Sequence, residues 1–435
     1  MAVKKWGVRL RHAVALAVLL TVTAAAGCAD GTGGKPVKTS GDNVIQLEYW
    51  TPFSGGDNRF MTGMVDRFNR EHKNIRVVQT NSRLDDYYSR LRTAILAGNA
   101  PDVAIIHATN LPLFVQNGYV EQLDEPARAA GLDLNAFNPN ILTTSVYNGR
   151  LFAVPLDTHA LVMFYNKRYL EMAGVLDRDG KPVIGEGTGG FTAFLQRIKE
   201  AVPPTVAPMA QPSTRIDSVW LWWSLYNQIE GGGAFYSPDG KRSAIDNPQA
   251  LRALNYVNEL YRTKLIPPDI NDAFKLFYDG DAAVLITGMW GTGAFENAPD
   301  LELGVVPFPV LFDRPAVWGD THTLAIPTKI SMTEEKRAAV LTFARWMVEH
   351  GEMWAEAGHV PSLTEVAESE AFLRQKNRSD YAATANYVAY WPKHVQQWTI
   401  VEVLIRQFER MIYGQQSPEQ ALEKASNLID AELKS

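Results

Sequence analysis

The sequence predicts an α/β protein of two domains, and three observations carry this. Strand-like and helix-like segments alternate over residues 44–106 with short connections, the pattern of a parallel sheet covered on both faces. The runs at 103–106 and 160–166 are apolar with little alternation, as strands buried on both sides are. Setting aside an N-terminal export segment leaves about 400 residues, more than one ordinary core holds.

The export segment comes first. Lys4, Lys5, Arg9 and Arg11 make a basic start, 13–23 is apolar, and 24–27 places small residues directly before Cys28, the chain's single cysteine. The apolar run falls short of the ~20 residues a membrane span needs. The segment is similar to a bacterial lipoprotein signal, in which the cysteine is diacylated and becomes the new N-terminus. Ala25 stands where that signal usually has Leu, and a plain secretory signal cut after Ala-x-Ala is the simpler alternative. Residues 1–27 are thus expected to be a signal, Cys28 the lipidation site and 28–43 a flexible tether. One cysteine allows no disulfide within the monomer.

A strand at 44–50 ends in a Gly-rich loop, and Phe60, Met64, Val65 and Phe68 then recur at helical spacing. A strand at 75–79 follows, then a helix marked by Tyr87, Leu91, Ile95 and Leu96, then the strand at 103–106. In such sheets a ligand sits beyond the carboxyl ends of the strands, here 50–57 and 107–110. Residues 149–155 read as a hairpin strand. Helices are expected at 191–201, 219–228, 248–260, 270–278, 334–350, 395–413 and 418–433, and strands at 282–287, 303–306 and 323–326.

The net charge of −6 becomes about −10 once the basic signal is removed, which disfavours nucleic acid as a partner. All but Trp6 of the eleven tryptophans lie beyond the signal, and Trp50, Trp220, Trp290, Trp318 and Trp391 fall where loops or element ends are expected. Indole rings there are costly unless they face something.

Residues 154–175, VPLDTHALVMFYNKRYLEMAGV, resemble the segment after the first lobe of carbohydrate-class extracellular solute-binding proteins of ABC importers, the group that includes maltose-binding protein. Three further stretches fit in the same order: Gly280-Asp281-Ala282-Ala283 with Gly288-Met289-Trp290, then 319–327, then 414–422. The resemblance implies a two-lobed periplasmic-binding-protein-like fold (class II). Its central cleft would trap the solute, with crossings between lobes near 155–158, 313–318 and 359–362. The implied lobes are 44–156 with 316–359, and 157–315 with 360–435. It further implies a carbohydrate ligand, ABC permease subunits as partners, a monomer, no cofactor and no metal, and a place on the outer face of the cell membrane, periplasmic where an outer membrane exists.

A neutral sugar offers hydroxyls at its rim and C–H patches on its faces, so its site needs flat rings and planar polar side chains. Trp290 follows a strand between Gly288 and Gly291, where the family has a stacking tryptophan. Trp50, Phe53, Ser54 and Asp57 end the first strand, and Thr109 and Asn110 align with the polar rim of the first lobe. His159 stands where the family has a sugar-bonding carboxylate; Asp157 beside it can supply the acceptor. In 218–226 the rings of Trp220 and Trp223 share a helix face. Asp320 and His322 precede a strand, and Trp391 and Trp398 flank a C-terminal loop and helix start. Trp346 and Trp354 read as core.

Other chemistries fit less well. The Gly pattern at 185–190 lacks a preceding strand, Asp177-Arg178-Asp179-Gly180 is a fragment of a calcium loop, and no Walker, G-x-S-x-G or HExxH pattern occurs. The eight histidines show no ligand spacing. A glycoside hydrolase would need a facing pair such as Asp157 and Asp320. A surface adhesin would need an exposed partner face. A receptor for glycerol phosphate or its diesters would draw on Arg59, Arg83 or Arg215 and the backbone at 55–56.

Overall fold

The computed structural model describes residues 44–53 and 56–434; the signal, Cys28, the tether and Ser54 lie outside the described residues. Strands β1 (Ile45–Thr51), β2 (Ile75–Asn81) and β3 (Val103–His107) are parallel, linked by helices Asn58–Glu71 and Leu84–Leu96. The first helix buries Met61, Met64, Val65 and Phe68, one stripe at 3.6-residue period, against the sheet. A hairpin of β4 (Val146–Tyr147) and β5 (Arg150–Leu151) turns on Asn148 and Gly149, both at positive φ, as a two-residue type I′ connection requires.

The chain then passes from β6 (Val154–Pro155) directly into β7 (Asp157–Asn166), a ten-residue strand with every side chain buried. Beyond it come β8 (Ala207–Ala210), β9 (Ala282–Gly288), β10 (Leu303–Pro307), β11 (Val317–Asp320), β12 (His322–Ala325), β13 (Val360–Pro361) and β14 (Val388–Ala389). They form two main sheets. The first has the order β2-β1-β3-β12-β6; the second has β14-β11-β7-β9-β8, with β10 and β13 also on β7. Each has its own core. Leu47, Tyr49, Phe68 and Phe343 pack under the first, and Phe164, Trp222, Tyr226 and Phe408 under the second.

The chain moves between the sheets three times: at Leu156, at Thr321, and between helix Glu334–Glu349, which packs on β1, and β13, where Val360 pairs with Thr158. The middle passage differs from the expectation of 313–318, and 316–320 does not join the first sheet. β11 pairs with β7 through Gly319 and Ala160 and with β14 through Val317 and Val388, and the Trp318 backbone N–H donates to Ser224 Oγ at 2.8 Å. Strand β8 was not legible because Pro208 interrupts it; it survives as an edge strand, where proline is tolerated.

Candidate functional site

The three passages converge, and they bring polar side chains with them. Asp157 and His159 open β7, His322 opens β12, and His359 directly precedes β13. The Asp157 carboxylate is fully buried and surrounded by donors. Oδ2 lies 2.7 Å from His322 Nδ1 and accepts from Trp354 Nε1 at 2.5 Å; Oδ1 accepts from the His322 backbone N–H at 3.1 Å and lies 3.2 Å from His159 Nδ1. His359 lies flat on Trp354, ring centroids 4.4 Å apart at 5°. Its Nδ1 is 3.6 Å from Asp157 Oδ2, and neither ring nitrogen has a hydrogen-bond partner among the described residues. His107, from β3, completes the group with its ring 4.7 Å from that of His322 and its Nδ1 2.6 Å from the Tyr88 hydroxyl.

Burial and charge pull against each other here. Burial pushes the Asp157 carboxyl up, but the charges and hydrogen bonds of His322, His359 and His159 outweigh it and hold the group well below the usual carboxylate range. For His322 burial pushes down, and Asp157 outweighs it, so the imidazole is held above its ordinary value. Burial drives His107 and His359 well below theirs. Burial also raises Asp320 and Asp57.

Beside this group stands an aromatic wall. Trp220 from helix Asp217–Gln228 stacks on Trp318 from β11 at 4.0 Å and 18°, and Trp290, after β9, meets them edge-on at 5.9 and 6.3 Å. Trp290 also touches His159, at 5.5 Å. The indole N–H groups of Trp220 and Trp318 are buried without an acceptor among the described residues. Asp320, at the end of β11, accepts from the Thr109 hydroxyl at 2.7 Å and from the Thr109 and Thr321 backbone N–H groups, which ties the polar rim after β3 to the second sheet.

The fold therefore brings together Phe53, Thr109, Asp157, His159, Trp220, Trp290, Asp320 and His322; Phe53 packs on the rings of His322 and Trp354 at 5.1 and 4.9 Å. Asp57 is buried with Oδ1 unpaired among the described residues, and Asn110 follows β3 with its backbone N–H on His107. Gly291 packs against Phe295 and Phe274. Trp50 is half-buried, 5.8 Å from the Arg90 guanidinium. The remaining rings lie elsewhere. Trp223 donates to the Ala389 carbonyl at 2.8 Å and packs on Trp391 and Phe235 in the second core, and Trp398 is exposed on helix Gln397–Ile412.

Sequence reasoning did not single out His107 or His359, left Trp318 as one loop tryptophan among several and read Trp354 as core. Trp354 is indeed buried, but its N–H serves Asp157. Half of the eight histidines meet here although no two of these four share a local spacing. The available signal was their position, each next to a strand end.

Comparison with known proteins agrees with this architecture. The profile of a family described as bacterial extracellular solute-binding protein matches residues 54–354. The arabinooligosaccharide-binding protein of Bacillus subtilis (strain 168) is 26% identical over 386 residues, 84% of this chain and 83% of that one. An ABC substrate-binding protein from Listeria monocytogenes, solved in complex with cycloalternan, superposes with a TM-score of 0.78 at 20% identity, covering 90% of this chain and 99% of that one. UgpB from Mycobacterium tuberculosis, solved with glycerophosphocholine, gives 0.78 at 17% identity over 89% and 98%. These structural likenesses establish the two-lobed fold. With two sheets joined by three converging passages and a family match over most of its length, the chain belongs to the bacterial extracellular solute-binding proteins.

Proposed function

We propose that this protein captures an oligosaccharide between its two lobes and delivers it to the membrane subunits of an ABC importer. The observation that carries the reading is the aromatic wall of Trp220, Trp290 and Trp318, with two buried indole N–H donors lacking acceptors, next to the Asp320 carboxylate. Rings cover the C–H faces of a sugar, indole N–H groups donate to its oxygens, and a carboxylate accepts from its hydroxyls. The named ligands of the Bacillus and Listeria relatives, an arabinooligosaccharide and cycloalternan, are of this class.

In this reading the lobes are built on the two sheets and divide at Leu156, Thr321 and the approach to His359. Asp157 and His322 hold the junction, while Trp290, Asp320 and His159 reach the solute. Closure around ligand shifts the population toward the form that presents both lobes to the permease together. In this reading the solute is bound and released unchanged, which the match to a family of solute-binding proteins supports. The protein works as a monomer outside the cytoplasmic membrane, held by a lipid on Cys28. None of the helices among the described residues is long and apolar enough to cross a membrane.

A phosphodiester would draw on a cation or a helix N-terminus at the site. Arg59 instead lies over Phe60 with its guanidinium 3.4 Å from the Gly293 carbonyl, and Arg215 lies 3.5 Å from Asp217. The test is thermal unfolding of the purified chain against a panel of oligosaccharides and glycerophosphodiesters. At a hundredfold its dissociation constant a ligand stabilises by ~2.7 kcal/mol. A shift with one glycan series and no cleavage product is the expected result; a shift confined to phosphodiesters, or glycan cleavage, would overturn the reading.

A further inference from the structure

We propose that Asp157, His159, His322 and His359 form a binding site for a divalent transition metal ion of the zinc type, placed where the three passages between the sheets meet. This goes beyond solute capture and does not depend on which solute is bound.

The donor geometry is close to what such an ion needs. One ligand atom from each residue lies within 4.8 Å of all the others. A tetrahedral zinc ion with bonds of about 2.0–2.1 Å separates its ligand atoms by about 3.3 Å. From Asp157 Oδ2 the ring nitrogens of His322 and His359 lie 2.7 and 3.6 Å away, on both sides of that value, and His159 Nδ1 lies 3.2 Å from the other oxygen, Oδ1. The three imidazole centroids are 4.4, 5.2 and 5.6 Å apart, so the rings surround a common point rather than forming a row.

A second observation points the same way. His359 is completely buried, yet neither of its nitrogens has a hydrogen-bond partner among the described residues. An orphaned imidazole in a closed interior is costly, and a metal ion replaces the missing partner. Around the ligands a supporting shell is already in place. Trp354 Nε1 and the His322 backbone N–H donate to the carboxylate, and the flat stack on Trp354 fixes the His359 ring.

Three imidazoles and one carboxylate suit zinc or its neighbours rather than calcium or magnesium, which prefer all-oxygen shells. Four protein donors describe a closed, structural site. Binding would release the protons now shared between Asp157 and the imidazoles. Because the ligands come from β7, from the start of β12 and from the residue before β13, the ion would tie together the segments about which the lobes move. Metal binding and lobe position would then be thermodynamically linked.

The experiment uses the purified chain stripped with a chelator and dialysed against Zn²⁺ and, separately, Co²⁺. One bound ion per chain and the visible absorption of tetrahedral cobalt are expected. His359→Gln and His159→Gln should each abolish stoichiometric binding, with folding checked by circular dichroism, whereas His72→Ala, on a histidine far from the cluster in the first sheet's helix layer, should keep it. Trp354→Phe removes the N–H on the carboxylate and shrinks the ring stacked on His359, and should weaken the metal about tenfold. The wild-type spectrum decides the matter even if a histidine variant misfolds. No stoichiometric metal, an octahedral cobalt spectrum, or unchanged binding in folded His359→Gln would overturn the proposal.

Discussion

Trp290 owes its position to a neighbour that has no side chain. A Cβ on residue 288 would lie 1.8 Å from Cζ3 of the Trp290 ring, so only glycine lets the indole fold back beside β9. Gly288→Ala is therefore expected to impair ligand binding as Trp290→Ala does, each by about tenfold, or about 1.4 kcal/mol. Isothermal titration with the ligand found in the thermal screen checks this, and affinity within twofold of wild type in Trp290→Ala would remove the ring from the site. The Asp157–His322 pair gives a second prediction, measured in chelator. Unfolded values are about 3.9 and 6.5. The His322 contribution is complete below its unfolded value and fades as pH rises through the raised folded one. That of Asp157 is complete above its unfolded value and fades as pH falls through the lowered folded one. The urea-unfolding difference between wild type and His322→Gln should therefore be largest between about pH 4 and 6.5 and shrink toward alkaline pH. An equal difference at about pH 5.5 and 9 would contradict the pairing.

Elements are held to one another by a few such side chains. Asp102, just before β3, accepts from the Glu48 backbone N–H at 2.8 Å and pairs with Lys329 at 2.6 Å and Lys336 at 3.1 Å, which joins β1, β3 and helix Glu334–Glu349. Burial pushes this carboxyl up, but the two lysines and the backbone N–H prevail and keep it below the usual range. Asp102→Ala leaves the buried Lys329 with the Ala100 carbonyl at 3.1 Å but no counter-charge and is expected to cost about 3 kcal/mol in urea unfolding. A loss under about 1 kcal/mol would show the tie to be dispensable. In β11, a Cβ on residue 319 would meet the His159 carbonyl at 2.5 Å and Val388 Cγ1 at 2.6 Å. Gly319→Ala should then loosen β11 from β7 and β14 at a cost of about 1–3 kcal/mol, read from the same unfolding curves. This local crowding is also why 316–320 defeats a reading by period: the segment is too short for alternation to show, and its partners are over 150 positions earlier and some 70 later.

At the scale of the whole molecule, local pattern and long-range assembly separate cleanly. The βαβαβ start, the α/β class and the long helices from 248 onward were legible because apolar periodicity is a property of neighbouring residues. The family was legible from four motifs in order, and with it the candidate positions of Trp290, Asp320 and His159. Membership in one of the two sheets was not legible, because it depends on which distant strand offers a hydrogen-bonding edge. The convergence of His107, His159, His322 and His359 was not legible either, since no spacing along the chain encodes three passages meeting at one point. The same holds for the rings: Trp220 and Trp223 look alike on their helix, yet one stacks on Trp318 and the other is sealed under Trp391. By itself, then, the sequence determined the class of the fold, the family and the kinds of side chain available, all of which rest on local periodicity and short motifs. Only the tertiary structure decided which tryptophans face the wall and which histidines surround Asp157, because those contacts are made by segments that fold together only when both sheets are complete.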